Sequence, residues 1–198
     1  MRSLVLSVFL AFLVLFNAAD AAFGNRARAR INSRGISGII DFTVVLRPYP
    51  PGFPITNDGM PNVTPMFVNV TLSGLTPGIN YNYYIASTPI AQDDGTCASV
   101  QNILFPRTSR PVPINFDGAY SCNKSNIIGT CAFGDISGIN RPVRTSNGVF
   151  YDNLVLNYLK IDNTSDPFNI IGKALVIRRA DGNQVACTNI YVLNKCPS

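Results

Sequence analysis

This 198-residue chain contains neither histidine nor glutamate, and their absence removes most of the side-chain chemistry available to proteins. A Ser-His-Asp or Cys-His arrangement has no base here. Structural and catalytic zinc sites draw about four ligands from imidazole, thiolate and carboxylate, and only aspartate and cysteine remain. All eleven acidic residues are aspartates. Asp93 and Asp94 are adjacent. Neighbours on a strand point to opposite faces, so they read as solvated loop carboxylates rather than a catalytic dyad. No C-x-x-C pair and no glycine-rich phosphate loop occurs. Copper in redox sites favours imidazole or soft sulfur. Met60 and Met66 have no cysteine cluster beside them and read as packing residues.

The basic residues form the other conspicuous pattern. Residues 22–34, AFGNRARARINSR, set Arg26, Arg28, Arg30 and Arg34 among small residues with no acid between them. This stretch is expected to be a solvated, disordered arm. Its functional reading is a contact for an anionic polysaccharide or a cell surface. Nothing in the sequence calls for a nucleic-acid partner.

The chain opens with Arg2, an apolar run from Leu4 to Phe16, and Ala19-Asp20-Ala21. That order is a secretory signal peptide over residues 1–21. The run is too short to span a bilayer comfortably, so a membrane-spanning protein is not expected. The formal net charge is +5, and removing the signal takes one arginine and one aspartate, leaving it unchanged. Charged residues make up 14% of the chain, against about 25% in typical soluble domains. Five cysteines in a secreted chain imply disulfides, with one thiol left over. Asn62, Asn69, Asn123 and Asn163 each begin an N-x-Ser/Thr sequon, and Pro65 follows the first.

The elements that must position these residues are short strands. GISGIIDFTVVL (35–46) is rich in Ile and Val and predicts a strand. Six prolines in 47–65 predict a long irregular loop. In FVNVTL (67–72), Val68, Val70 and Leu72 share one face. YNYYIA (81–86) is aromatic and β-prone. Residues 87–142 show no period. GVFYDNLVLNYLKI (148–161) predicts two short strands or one bent strand. GKALVIR (172–178) and VACTNIYVL (185–193) predict two strands flanking the turn Asp181-Gly182-Asn183. No amphipathic helix is evident. The pattern is all-β, a sandwich or flattened Greek-key barrel, over one domain from 35 to 198.

Several segments resemble copper/zinc superoxide dismutases, in that family's order. Gly74-Leu75-Thr76-Pro77-Gly78 looks like the turn before the copper strand. Gly95-Thr96-Cys97-Ala98-Ser99 is similar to the segment around a disulfide cysteine. Phe105-Pro106 and Gly134-Asp135-Ile136 resemble two further segments. Ile170-Ile171-Gly172-Lys173-Ala174-Leu175-Val176-Ile177 is close to a late strand, and Val185-Ala186-Cys187 to the closing strand. The resemblance implies an eight-stranded Greek-key β-barrel and a Cys97–Cys187 bridge. Cys122 and Cys131 lie close together in the long loop and are expected to pair. Cys196 is then odd, either free or linking two chains into a homodimer.

The resemblance also implies metal imidazoles, and they are gone. The copper pair aligns with Tyr83 and Ile85, and the imidazole before it with Asn80. The bridging imidazole aligns with Ile103. Two zinc imidazoles align near Pro111 and at Ala132, and the last copper ligand at Arg178. Asp135 alone matches a ligand type. One carboxylate cannot fill a zinc shell, so it is expected to act as a hydrogen-bond acceptor that structures its loop. The family's guiding arginine aligns with Gln184, and the charged loop before it shrinks to residues 179–183. No cofactor is expected, and the function implied is that of a secreted pseudoenzyme that binds or builds. The alternative is an extracellular dismutase or metal-binding protein with atypical ligands.

Overall fold

Among the described residues, period-two alternation of apolar residues builds most of the longer strands. The computed structural model describes residues 23–46, 64–91, 97–104, 120–161, 166–181 and 184–193. Within them lie eight strands: β1 (Phe23–Ser33), β2 (Ile36–Val45), β3 (Met66–Ser73), β4 (Asn80–Ile85), β5 (Val143–Arg144), β6 (Val149–Leu156), β7 (Ala174–Arg179) and β8 (Gln184–Leu193). Every pairing is antiparallel, in the order β5-β4-β7-β8-β1-β2-β3-β6. The strands curl into a nearly closed barrel of the Cu/Zn superoxide dismutase type. Most of the 47–65 loop, the signal segment, Asn62, Asn163, Pro111 and Cys196 lie outside the described residues.

The basic stretch is not a disordered arm. Residues 23–33 form β1, which sits inside the sheet, paired with β2 on one edge and β8 on the other. Arg26, Arg28 and Arg30 alternate with Ala27, Ala29 and Ile31, all three of which are buried in the barrel. The small alanines are the inward face, and the arginines are the outward face of the same strand. Arg34 stands in the β1–β2 turn at φ 49° beside Gly35 at φ 80°. The barrel domain therefore begins at the start of β1 rather than at residue 35.

The interior is lined by Ile40, Phe42, Val68, Val70, Leu72, Tyr83, Leu175 and Ile177 among others. Between β5 and β6 the ladder is interrupted, and side chains bridge the gap. Arg141 donates from Nε and Nη2 to the two oxygens of Asp152 on β6, at 3.0 and 2.6 Å. Thr145 Oγ1 donates to the carbonyl of Val149 at 2.5 Å. These bonds occupy an edge that would otherwise invite another strand.

Among the described residues, Cys97–Cys187 ties a loop to β8 and Cys122–Cys131 closes a short loop on itself. They span 90 and 9 residues. Chain-entropy reasoning gives the long bridge about 4.5 kcal/mol and the short one about 2.5 kcal/mol. Replacing Cys97 and Cys187 by alanine together is expected to lower the urea-unfolding free energy by about 4 kcal/mol. A loss below about 1 kcal/mol would show that cover packing, not the bridge, holds this loop.

Candidate functional site

Strand β4 splits its side chains between two environments. Tyr81, Tyr83 and Ile85 enter the barrel interior. Tyr84 and, one bridge further, Ala86 point to the outer face. Register places Tyr84 opposite Val176 and Asn82 opposite Arg178 on β7. The outer face is then roofed. Tyr84, Ala86, Ile90, Cys97, Val100, Ile103, Ala132, Ala174, Val176 and Cys187 form one buried apolar cluster, with Tyr120 packed against it.

The roof is held by backbone bonds to the upper end of β4. Leu104 N donates to Ile85 O at 2.8 Å, and Ile85 N donates to Gly134 O at 2.8 Å. Only glycine fits at 134, because a Cβ there would stand 2.3 Å from Ile85 O. Asp135 follows, almost fully buried, as N-cap of the single helical turn Ile136–Ile139. Its Oδ1 accepts from Gly138 N and its Oδ2 from the Tyr120 hydroxyl, both at 2.9 Å. That hydroxyl in turn accepts from Ala132 N at 3.0 Å. Ser137 Oγ accepts from Tyr83 N at 2.6 Å and donates back to Tyr83 O at 3.2 Å, fastening the turn to β4.

The positions aligned with the family's imidazoles do not form one site. Ile103 and Ala132 meet in the roofed cluster, and Arg178 is buried at its edge, where its charge acts on Tyr84. Tyr83 and Ile85 lie on the other side of the sheet, inside the barrel. Ligands of one ion must share a side, so the outward pair on this strand is Tyr84 and Ala86, one residue on from the aligned pair. Asn80 is exposed at the start of β4. Sequence reasoning gave no role to Tyr84, Tyr120 or Ser137. Strand alternation marks Tyr84, but Tyr120 and Ser137 come together only through the folding of an aperiodic loop.

A copper and zinc pair does not fit these residues. The cluster offers isoleucine, valine, alanine, a disulfide and two phenols, Tyr84 and Tyr120, whose burial disfavours the phenolate that a metal would need. Both oxygens of Asp135 already accept hydrogen bonds, and among the described residues no three metal-ligating side chains converge. The Arg178 guanidinium adds a like charge toward any cation at this edge. Burial pushes the Tyr83, Tyr84 and Tyr120 hydroxyls well above the ordinary phenol range. The Tyr83 hydroxyl, inside the barrel, has no hydrogen-bond partner among the described residues.

No protein-family profile matches the sequence, and no curated protein matches it. Solved structures do. The copper(II) form of Candida albicans superoxide dismutase 5 superposes with a TM-score of 0.62 at 18% identity, covering 88% of this chain and 95% of that one. A mutant of the same enzyme gives 0.62 at 20% identity, covering 88% and 93%. Likeness at this identity establishes the fold: this is a chain with the superoxide dismutase barrel.

Burial raises the Asp135 carboxyl above its ordinary value, against the lowering effect of Gly138 N–H, Tyr120 and Lys124. The folded state then holds its proton to higher pH than the unfolded state. Stability from this group is therefore lost as pH rises from the ordinary aspartate range through the raised value. Asp135→Asn is expected to remove that component. The wild-type minus variant difference in unfolding free energy, measured in urea from pH 3 to 7, should fall with rising pH. A difference that rises with pH would reverse the assignment.

Proposed function

We propose that this chain is an extracellular protein that keeps the superoxide dismutase barrel without its metal chemistry and works by binding. The observation that carries this reading is the roofed face of β4 and β7. The place that ligands would occupy is packed with Val100, Ile103, Ala132, Val176 and the Cys97–Cys187 bridge. A chain with no histidine and no glutamate has no second set of residues to supply imidazole or a catalytic carboxylate pair of the glutamate type. Removing the ligands and leaving a cavity would cost stability, and filling it with apolar atoms restores the packing.

Secretion is supported by the apolar run Leu4–Phe16 with its small-residue stop, and by two disulfides, which persist in oxidising compartments. Asn123, an exposed sequon residue, caps the turn Lys124–Asn126 with its side chain. It is accessible to glycosylation.

The secreted protein, loaded with copper and zinc and desalted, is expected to retain less than about a tenth of an equivalent of either metal by elemental mass spectrometry. It should also show no dismutation of superoxide. Near-stoichiometric copper with activity would overturn the reading in favour of a dismutase with atypical ligands.

A further inference from the structure

The arginines of β1 belong to an outer sheet face whose other residues suit a carbohydrate. Five strands, β8-β1-β2-β3-β6, present this face, and their register lines up side chains in rows across it. The central row is Tyr191, Arg28, Asp41, Asn69 and Asn153, each directly opposite the next. It is already knit. Arg28 donates from Nε and Nη2 to Asp41 at 2.6 and 2.8 Å, and Asn69 Nδ2 donates to Asn153 Oδ1 at 2.7 Å. Arg26 and Arg30 flank it along β1, opposite Thr43 and Ile39 rather than acids. Asp41, bound to Arg28, is the single acid on this face among the described residues, so the face carries a net positive charge. Tyr191 and Tyr151 are exposed at the two sides of the sheet, at 43% and 71%.

We propose that this face docks an acidic polysaccharide laid across the strands. The reading rests on a binding role for the chain, and it makes the surface and ligand class specific. Arg26 and Arg30 stand about 13 Å apart along the strand and supply charge for carboxylate or sulfate groups. The strands from β8 to β6 span about 19 Å, room for several sugar rings. Tyr191 and Tyr151 offer flat rings for stacking on pyranose faces, with the hydroxyl as a polar handle. The Arg28–Asp41 and Asn69–Asn153 pairs keep lone pairs and N–H groups available to sugar hydroxyls while holding the platform rigid. A membrane would ask for a different surface: an apolar wedge of Trp, Phe or Leu amid lysines. Here Phe67 and Leu193 share the row of Arg26 but are only part-exposed, and no lysine stands on these five strands.

The sequon asparagine Asn69 sits in the middle of the platform, with Thr71 beside it on the same face. A glycan there would cover the arginine stripe. Occupancy of Asn69 and docking therefore exclude each other.

The test uses the full secreted chain and titrates heparin, polygalacturonate, uncharged dextran and phosphatidylserine vesicles by calorimetry and column retention. Binding to heparin or polygalacturonate, weakening with salt, and none to dextran is expected. Arg26→Ala with Arg30→Ala should weaken it about tenfold, as two exposed charge contacts would. Tyr191→Ala should weaken it several-fold. Arg144→Ala, an exposed arginine on β5 away from this face, should leave it within about twofold. Equal loss in the Arg144 control would reduce the effect to net charge and overturn the proposal. So would vesicle binding without glycan binding, or full glycosylation of Asn69 by peptide mass spectrometry. Metal loading distinguishes the readings: an active copper enzyme that still shows this pattern keeps the surface and discards the non-catalytic role.

Discussion

Two strands of this barrel, β4 and β7, are buried on both faces, and most of the remaining structure follows from covering their outer side. Tyr83, Tyr84, Ile85, Leu175, Val176 and Ile177 are all excluded from solvent. A strand buried on one face needs only the barrel. A strand buried on both needs a lid, and the aperiodic segments 87–91, 97–104 and 131–135 are that lid. Their backbone polar groups must be paired as well. This explains the Leu104–Ile85–Gly134 bonds, the glycine at 134, the buried carboxylate at 135 and the serine that grips Tyr83. The long disulfide joins the same lid to β8.

The same requirement can be met by different atoms. A metal centre can serve as part of such a lid by binding loop and sheet together through ions. Apolar packing with a covalent bridge achieves the same closure with different atoms. Here the closure is made by Val100, Ile103, Ala132 and the disulfide. The barrel therefore keeps its shape in a chain that has no histidine.

How much of this was legible depended on where periodicity lives. Strands β2, β3, β4, β7 and β8 were visible to within a residue or two, because Ile, Val and Tyr announce a pleated surface. Strand β1 was not, since its inward face is mostly alanine and its outward face arginine. Alternation was present, but its apolar half was too small to outweigh the charge. Strand β5, two residues long, is below any periodic signal. The disagreement over Tyr83 and Tyr84 has a simple cause. Alignment places a residue in order, and only the pleat decides its side. One step along β4 moved the pair from the outer cluster to the interior. Tyr120 and Asp135 meet across fifteen residues of loop, which no local pattern encodes.

The central position of β1 has a temporal consequence. This first strand pairs with β2 almost at once, but its other edge waits for β8: Arg26 lies opposite Leu193, and Ala29 opposite Ile190. During synthesis the nascent chain holds an early hairpin with one open flank until β8 has emerged. Such long-range pairing is slow to form. Over that interval the free edge of β1 is available to other chains, and its outward arginines act as a repulsive fence against premature strand addition. The outward charge of the finished barrel thus protects the unfinished chain from itself.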